Sequence, residues 1–379
     1  MKTFLQQAKS KVSSSSSLYF VMGNESCDMD SVVSSICYAF EKHLTLAEQG
    51  VSAIPIINVA AEDLPLRTEV TWLFQRLGVP LSSLLCWDEI NLPSLLTKGS
   101  VKIGLVDHNR LCPRQDFLSP YVVDVLDHHV DEGVFLQATL GLRKIKTVGS
   151  CATLVTQNCT KPLPKDFAMA LMMTILIDTA NFDPELKKTT PDDETAVREL
   201  MPMAGVETVE ERDSLYQECH RAKFDVKGLT IAQSLCKDYK AFTPGRAAVT
   251  YGVSSILELY EGFVLKPSAD PSIDEPLRLF AHRNQLDVLM LMFGAEDPIT
   301  NVYTRQLWLS GYGDRGTVVS AALLDFLLKE VKTKDGTDIG FQVMATKREV
   351  DGGILLSQRN IAVSRKVLTP LIDAFIAKL

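Results

Sequence analysis

The stretch "SLYFVMGNESCDMDSVVSSICYAFEKHL" (17–44) joins an apolar run, a polar loop and an amphipathic segment without interruption. The apolar run at 17–23 has the length and composition of a buried strand, and residues 30–44 carry apolar side chains at helical spacing. Asp28 and Asp30 lie between them, just after a glycine. A strand that leads directly into a helix predicts a βα unit of a parallel sheet.

The same alternation continues through the first half of the chain. Strand candidates at 54–59, 101–109 and 121–129 alternate with helix candidates at 69–78, 150–159 and 166–182. Apolar strands separated by helices predict an α/β fold class with helices on both faces of a parallel sheet. After a charged helical segment, shorter strand candidates lie at 247–253, 286–294, 305–311 and 360–364. They predict a smaller α+β domain, so we expect two domains, 1–205 and 206–379.

Composition excludes several classes of protein. A length of 379 residues suits two domains, and a net charge of −8 argues against a nucleic-acid partner bound through a broad basic face. The eight cysteines form no C-x-x-C pair, which favours free thiols in a reducing compartment. The longest apolar run, 167–177, is about half of a membrane span. We therefore expect a cytoplasmic protein without a membrane partner, with an organelle as the alternative because the N-terminus is free of acids.

Carboxylate, imidazole and amide groups follow four apolar runs of the first domain. They are Asn24, Asp28 and Asp30, then Asp107, His108 and Asn109, then Asp127, His128 and His129, and finally Asp178. The carboxyl ends of parallel strands form the ligand site of such sheets. A single D-x-D or His-His pair is more often a turn or a packing pair, but four such groups in one domain predict a metal site. Oxygen and imidazole ligands suit Mn²⁺, or Mg²⁺ where carboxylates dominate, and two such ions can activate a water for attack on a phosphoryl group.

The order of these motifs resembles the DHH phosphoesterase superfamily. "DMD" (28–30), "VDHN" (106–109), "DHH" (127–129) and "LIDTANF" (176–182) match its motifs in sequence order. The resemblance implies an N-terminal DHH domain that binds metal and a C-terminal domain that binds phosphate across a cleft. "NIAVSRKVLTPLIDAF" (360–375) is similar to the S-R-K signature of manganese-dependent (family II) pyrophosphatases and yeast-type exopolyphosphatases. The G-G-G-H signature of the nuclease branch is absent.

The resemblance also implies a role for each residue. Asp28 and Asp30 would each bind one ion, Asp107 would bridge them, and the second ion would also be held by His128 and Asp178. His129 would contact the reacting phosphate, and Asp127 would orient the imidazole. The catalytic set implied is Asp107, Asp127, His129, Arg365 and Lys366. The substrate contacts implied are His129, Asn109, Arg221, Lys223, Lys227, Ser364, Arg365 and Lys366, the last three at a helix N-terminus suited to phosphate.

Asn24 decides between the substrates of this branch. Family II pyrophosphatases carry a histidine there, in an H-x-x-x-D-x-D pattern, whereas an amide oxygen is a harder ligand that favours Mg²⁺ over Mn²⁺. The sequence "GNES" (23–26) resembles that of exopolyphosphatases and their animal Prune relatives. We therefore predict a monomeric exopolyphosphatase with two or more divalent ions, which releases terminal orthophosphate from inorganic polyphosphate. The alternatives are a manganese-dependent inorganic pyrophosphatase and a Prune-like interaction protein with weak phosphoesterase activity.

Overall fold

The computed structural model describes residues 1–97, 99–136, 141–244, 249–266, 273–297, 300, 302–329, 336, 338, 340–344 and 352–379. The chain forms two compact units, Met1–Phe224 and Asp225–Leu379. Within the described ranges, no helix combines the length and apolar character needed to cross a bilayer.

The first unit contains a five-stranded sheet and eight α-helices within its described residues. These elements are α1 (Lys2–Lys11), β1 (Ser17–Met22), α2 (Met29–Leu46), β2 (Ser52–Ile56), α3 (Thr68–Arg76), α4 (Leu92–Leu96), β3 (Ser100–Val106), β4 (Val122–Asp127), β5 (Arg143–Ile145), α5 (Cys151–Asn158), α6 (Lys165–Asp178), α7 (Pro191–Ala204) and α8 (Val209–Phe224). The strand order is β2-β1-β3-β4-β5, and every neighbouring pair is parallel. The predicted α/β class is therefore confirmed.

This strand order brings the polar loops together. The strands β1, β3 and β4 are neighbours that run in the same direction. The loops that follow them, at 23–28, 107–109 and 128–129, therefore start at the same edge of the sheet. Parallel strands place their carboxyl ends side by side, which is the physical basis for a ligand site at this edge.

The helix α8 belongs to the first unit, although the predicted boundary at residue 205 placed it in the second domain. Gly205 does end α7 in a left-handed conformation, with φ at 71°. The chain then continues into α8, which buries Leu215, Tyr216 and Cys219 in the core of the first unit. Because these apolar side chains are buried against the first unit, α8 belongs to it and the units divide after Phe224. The boundary therefore lies beyond Gly205, the turn residue at which the sequence predicts it.

The second unit contains a six-stranded mixed sheet in its described ranges. Its elements are α9 (Ile231–Lys237), β6 (Tyr239–Phe242), β7 (Tyr251–Ile256), α10 (Tyr260–Phe263), α11 (Asp274–Arg283), β8 (Val288–Glu296), β9 (Tyr303–Gly311), α12 (Gly313–Leu328), β10 (Phe341–Val343), β11 (Ile354–Gln358) and α13 (Arg365–Ile376). The strand order is β10-β11-β9-β8-β7-β6, and only the described pair β7–β8 is parallel. Alternate residues of β8 enter two different core clusters, one with α12 and α13 and one with α9 and α11.

The predicted strand at 360–364 is wrong. The strand lies earlier, at Ile354–Gln358, where it pairs with β9. Asn360 instead organises a turn, because its side chain accepts a hydrogen bond from the backbone N–H of Ala362 and its carbonyl accepts one from Val363. An asparagine that bonds its own following backbone favours a turn over a strand. Of the predicted strand 247–253, residues 247 and 248 lie outside the described residues.

Candidate metal and phosphate site

One cavity of about 710 Å³ in the first unit gathers the predicted ligands. Its lining includes Asn24, Asp28, Asp30, Asp107, His128, His129 and Asp178. All six residues predicted to bind metal, and the histidine predicted to contact phosphate, thus line a single cavity. The carboxylates come from the loops after β1 and β3, the first turn of α2 and the end of α6, so tertiary structure has assembled them.

Asp107 lies at the centre of this group. One carboxylate oxygen, Oδ2, accepts hydrogen bonds from the Ser31 hydroxyl (2.6 Å) and from the Asn24 amide nitrogen (2.8 Å). The other, Oδ1, is 3.3 Å from Nε2 of His128. The residue adopts a left-handed backbone conformation, with φ at 60°, which directs the chain away from β3 as soon as the strand ends. Such a conformation is tolerated best by glycine, asparagine and aspartate.

His128 presents one ring nitrogen to the carboxylates. Its Nδ1 is 3.0 Å from the carbonyl oxygen of Val148, which makes Nδ1 the donor and leaves Nε2 as the free lone-pair nitrogen when the ring is neutral. Nε2 lies 3.3 Å from Asp107 and 3.7 Å from Asp30. Burial acts to lower the pKa of His128, but the carboxylates of Asp107 and Asp30 outweigh it and raise the pKa to about 10. A proton therefore occupies this position in the metal-free protein.

Asp30 is held by the beginning of α5. Its carboxylate accepts hydrogen bonds from the backbone N–H groups of Cys151 (2.6 Å) and Ala152 (2.9 Å), and from the Ser34 hydroxyl (2.9 Å). The helix N-terminus stabilises the negative charge. Burial nevertheless raises the pKa of Asp30 to about 7, with a further contribution from the charge of Asp107.

Asp28 and Asp178 complete the carboxylate group. Asp28 caps α2 by accepting a hydrogen bond from the Ser31 backbone N–H (3.2 Å). Burial, followed by the charge of Asp107, raises its pKa. Asp178 ends α6, and its Oδ2 is a buried atom with no hydrogen-bond partner in the described structure. Burial and the charges of Asp30 and Asp28 raise the pKa of Asp178 well above its usual value.

These residues fit divalent cations. Ligand atoms of Asp107, His128 and His129 lie within 4.8 Å of one another. Crowded carboxylates with raised pKa values, together with an unpartnered oxygen on Asp178, describe a site where repulsion between negative charges is strong. The mixed oxygen and imidazole donors match the preferences of Mn²⁺ and Mg²⁺.

We expect the metal-free protein to lose thermal stability as the pH rises from about 5 to about 8. The folded pKa values of Asp28, Asp30 and Asp178 are raised, whereas an aspartate of the unfolded chain has a pKa of about 3.9. The folded protein therefore binds more protons than the unfolded chain, and a rising pH favours unfolding. His128 acts in the same direction, because its pKa falls from about 10 to about 6.5 on unfolding. Thermal unfolding in EDTA across this range measures the effect. Saturating Mn²⁺ should remove the decline, and a midpoint that rises with pH in EDTA would contradict the prediction.

The buried carboxylate of Asp127 is hydrogen-bonded to the exposed imidazole of His129. Nδ1 of His129 is 2.8 Å from Oδ1 of Asp127, and the imidazole is 56% exposed on the cavity side. Burial acts to raise the pKa of Asp127, but hydrogen bonds from His129 and Asn109 dominate and lower it. The hydrogen bond to Asp127 in turn raises the pKa of His129. The pair therefore favours a charged imidazole whose Nε2 is available to a ligand.

Asn24 and Asn109, two residues predicted to contact a ligand, make hydrogen bonds within the protein. The side-chain oxygen of Asn24 accepts hydrogen bonds from the backbone and hydroxyl of Ser26, and its nitrogen donates to the carbonyl and carboxylate of Asp107. The backbone N–H of Ser26 and the backbone carbonyl of Asp107 fix which end of the Asn24 amide is oxygen and which is nitrogen. Asn24 therefore supports Asp107 in this structure, and its predicted role as an oxygen ligand of a metal ion stays a prediction. Asn109, predicted to touch substrate, is buried and bonded to Asp127, Val130 and Glu132.

Asn24→Ala should weaken divalent metal binding about 10- to 100-fold, the usual cost of removing the hydrogen-bond partner of a ligand. The variant leaves Oδ2 of Asp107 with the Ser31 hydroxyl alone. Titration calorimetry with Mn²⁺ measures the loss. Ser26→Ala is the matched control, because Ser26 contacts Asn24 but not Asp107. Equal affinity of Asn24→Ala and the parent protein would remove Asn24 from the support of this carboxylate.

Two lysines that sequence reasoning missed also line the cavity. Lys187 and Lys188 are exposed, and neither has an ion-pair partner among the residues that the structure describes. Asp193 anchors the segment that carries them, since it accepts hydrogen bonds from Thr190 and from the backbone N–H of Gly149. The adjacent basic pair shortly after "LIDTANF" was the available signal. These lysines place positive charge beside the carboxylates, where an anionic substrate would need it.

The second unit has its own basic pocket, of about 390 Å³, which we call the C-terminal pocket. It is lined by Asp238, Ser255, Ile256, Leu257, Met292, Phe293, Gly294, Tyr303, Arg305, Ser364, Arg365 and Lys366. Ser364 is the N-cap of α13 and makes no side-chain capping bond. The predicted S-R-K residues therefore lie together at a helix N-terminus in one pocket.

Three basic residues predicted to contact substrate lie on either side of the unit boundary, namely Arg221, Lys223 and Lys227. The charge of Lys223 contributes to lowering the pKa of Asp28 against the larger effect of burial, so this lysine lies close to the carboxylates. Arg221 is exposed and donates to the carbonyl of Gln217 within its own helix. Lys227 is exposed in the second unit. Within the first unit, the structure therefore places Lys223 near the carboxylates, and the substrate contacts of Arg221 and Lys227 stay predictions.

Comparisons with known proteins agree with this arrangement of motifs. The family model of the DHHA2 domain matches residues 217–375. The chain is 30% identical to a Schizosaccharomyces pombe protein named "Putative exopolyphosphatase", over 96% of this chain and 92% of that protein. It is 33% identical to human "Exopolyphosphatase PRUNE1" over 77% of this chain, and the match spans only 63% of the human protein. It is 24% identical to the "Manganese-dependent inorganic pyrophosphatase" of Methanothrix thermoacetophila, over 72% and 80% of the two chains. The chain therefore belongs to the DHH phosphoesterase superfamily, in the exopolyphosphatase branch with a C-terminal DHHA2 domain.

Proposed function

We propose that this protein is a metal-dependent exopolyphosphatase that releases terminal orthophosphate from inorganic polyphosphate with two or more Mg²⁺ or Mn²⁺ ions. The observation that carries the proposal is the cavity in which Asp28, Asp30, Asp107, Asp178 and His128 meet, with the buried Oδ2 of Asp178 left without a hydrogen-bond partner in the described part of the chain. Relatives named as exopolyphosphatases support the choice of reaction, and those named as manganese-dependent pyrophosphatases support a divalent ion.

The residues of the first unit would divide the chemistry between them. When bound, divalent ions neutralise phosphoryl oxygens and lower the pKa of a water molecule. Asp28, Asp30, Asp107, Asp178 and His128 would hold them. His129, kept charged by Asp127, would donate its Nε2 proton toward a phosphoryl oxygen as negative charge develops there. Lys187, Lys188 and Lys223 add positive charge that attracts the anionic substrate.

The second unit would bind phosphate groups of the substrate. Ser364, Arg365 and Lys366 combine free backbone donors of a helix N-terminus with two cationic side chains. A pyrophosphate has two phosphates to bind, whereas polyphosphate offers a long series of them. The S-R-K residues of this pocket resemble those of both exopolyphosphatases and family II pyrophosphatases, so the pocket supports a phosphoanhydride substrate and the choice between the two rests on the assay below.

The substrate is tested by measuring phosphate release from long polyphosphate and from pyrophosphate, each with Mg²⁺ and with Mn²⁺. We expect polyphosphate to be the better substrate by kcat/KM. A strong preference for pyrophosphate would establish the alternative, a manganese-dependent inorganic pyrophosphatase. If the folded, metal-loaded protein released phosphate from neither substrate, the Prune-like interaction protein would replace the enzyme.

We also propose that the protein acts as a monomer in the cytosol and binds no nucleic acid. The net charge of −8 supports the last point, because nucleic-acid binding depends on positive charge. Analytical ultracentrifugation tests the oligomeric state, and fractionation of cells tests the compartment. A stable dimer at micromolar concentration, or a mitochondrial fraction that holds the protein, would contradict these points.

A further inference from the structure

Arg305, on β9, carries an unused hydrogen-bond donor in the C-terminal pocket. It lines this pocket together with Arg365 and Lys366. Its Nε is inaccessible to solvent and has no hydrogen-bond partner in the described part of the chain. A buried charged donor without an acceptor is costly, because it has lost its water and gained nothing in return. The position therefore calls for an acceptor that a ligand would supply.

The two guanidinium groups of the pocket are in different states. Arg365 donates to the backbone carbonyl of Asp238 (2.6 Å) and to its carboxylate (2.5 Å). Arg305 has no ion-pair partner among the residues described. Lys366 is exposed and equally lacks one there. Arg305 and Lys366 are thus the cations of the pocket that no described carboxylate neutralises.

The local structure holds Arg305 in place. The guanidinium carbon of Arg305 is 5.6 Å from the centroid of the Tyr303 ring, a cation–π contact that fixes the planar group. Gly294 faces Arg305 across the ladder between β8 and β9. A Cβ at position 294 would lie 2.6 Å from the Tyr303 hydroxyl oxygen and 3.8 Å from Cγ of Arg305. Only glycine therefore leaves room for this pair at the present position.

We propose that Arg305 is a specificity-determining residue that binds a phosphate group of the condensed phosphate chain beside Lys366. The planar fork of a guanidinium matches the oxygens of a phosphate, which a point charge does not. The ligand class rests on the proposed function, whereas the unpartnered donor and its support by Tyr303 are observed independently. The role is binding, since a guanidinium group stays protonated and offers only hydrogen-bond donors.

The direct test is binding of inorganic tripolyphosphate to the full chain in EDTA, measured by titration calorimetry. Arg305→Gln should raise Kd at least about tenfold, the cost of one charge-assisted hydrogen bond, and Arg305→Lys should fall between it and the parent. Arg283→Gln is the matched control, because it removes an exposed arginine of the same unit outside the pocket, and its Kd should equal that of the parent. Gly294→Ala should also weaken binding by displacing Tyr303.

The outcomes separate this inference from the proposed function. If the parent releases phosphate from polyphosphate but Arg305→Gln and Arg305→Lys bind tripolyphosphate as tightly as the parent, the role of Arg305 is refuted alone. If Arg305→Gln weakens binding but the parent releases no phosphate with Mg²⁺ or Mn²⁺, the proposed reaction fails and Arg305 remains an anion contact. If the parent does not bind tripolyphosphate in EDTA, the role of Arg305 is refuted, while phosphate release with Mg²⁺ or Mn²⁺ still decides the proposed reaction. Arg305→Lys keeps the aliphatic stem and carries the test if Arg305→Gln does not fold.

Discussion

Asp107→Asn should lower kcat/KM for polyphosphate by on the order of a thousandfold or more, while the protein keeps its fold. The substitution replaces the carboxylate that stands between His128 and the Ser31 hydroxyl with a neutral amide of the same shape. Asparagine is preferred to alanine for this test, because residue 107 has a positive φ of 60° and asparagine tolerates that conformation. Phosphate release at saturating Mg²⁺ and Mn²⁺ gives the result.

The same variant should leave the metal-free protein as stable as the parent, within about 1 kcal/mol. The charge of Asp107 contributes to the raised pKa values of Asp28 and Asp30, so removing it relieves repulsion even as hydrogen bonds are lost. Thermal unfolding in EDTA and calorimetry with Mn²⁺ separate these effects. Asp116→Asn, which changes an exposed aspartate of the same unit, serves as the control and should change neither the thermal stability nor the affinity for Mn²⁺. Activity of Asp107→Asn within tenfold of the parent would show that this carboxylate is not central to the site.

Asp124→Ala should cost about 3–5 kcal/mol of stability, the typical penalty for breaking a buried ion pair on one side. Asp124, on β4, is 1% exposed and accepts from Lys42 Nζ (2.5 Å), from the hydroxyls of Tyr38 (2.9 Å) and Tyr19, and from the Leu142 backbone N–H (2.5 Å). Its loss would leave one cation and three neutral donors without their shared acceptor. Urea unfolding of the metal-free protein measures the change.

The pH dependence of this network gives a second readout. Burial acts to raise the pKa of Asp124, but hydrogen bonds from Lys42 and Tyr19 outweigh it and lower the pKa. A lowered carboxyl pKa contributes stability above about pH 4, the value in the unfolded chain, and that contribution is lost as the pH falls through the folded value. The difference between the parent and Asp124→Ala should therefore shrink in acid.

A control and a second variant make the result specific. Asp116→Ala removes an exposed aspartate and should stay within about 0.5 kcal/mol of the parent. Gly104→Ala, on β3, should destabilise to a smaller extent, because its Cβ would lie 3.0 Å from the Tyr19 hydroxyl oxygen that crosses β3 to reach Asp124. A loss below about 1 kcal/mol for Asp124→Ala would show that the network adds little to stability.

The amino-acid sequence alone determined the fold class and the set of residues that meet in the cavity. Apolar runs of strand length between amphipathic segments predict a parallel sheet, and such a sheet places the carboxyl ends of all its strands at one edge. Residues at those ends, such as Asp28, Asp107 and His128, were therefore expected to converge before any distance was known. The structure places all three around one cavity.

The tertiary structure decided the direction and the partner of each side chain. Local periodicity shows which face of an element is buried, but it carries no information on which groups come within hydrogen-bond distance from distant parts of the chain. The sequence could thus not show that Asn24 donates to Asp107, 83 positions away. It also could not show that α8 covers the first core, or that a turn replaces the strand expected at 360–364.

The same reason explains the residues that were missed. Lys187 and Lys188 reach the cavity because Asp193, in the first turn of α7, ties their segment to Gly149, which precedes α5. Arg305 enters the C-terminal pocket because Gly294 stands opposite it on the neighbouring strand. Strand register and loop contacts arise from long-range pairing, whereas the spacing of apolar residues reports only local structure. Sequence therefore determined which carboxylate and imidazole groups gather at the edge of the first sheet, and tertiary structure decided which cationic side chains accompany them.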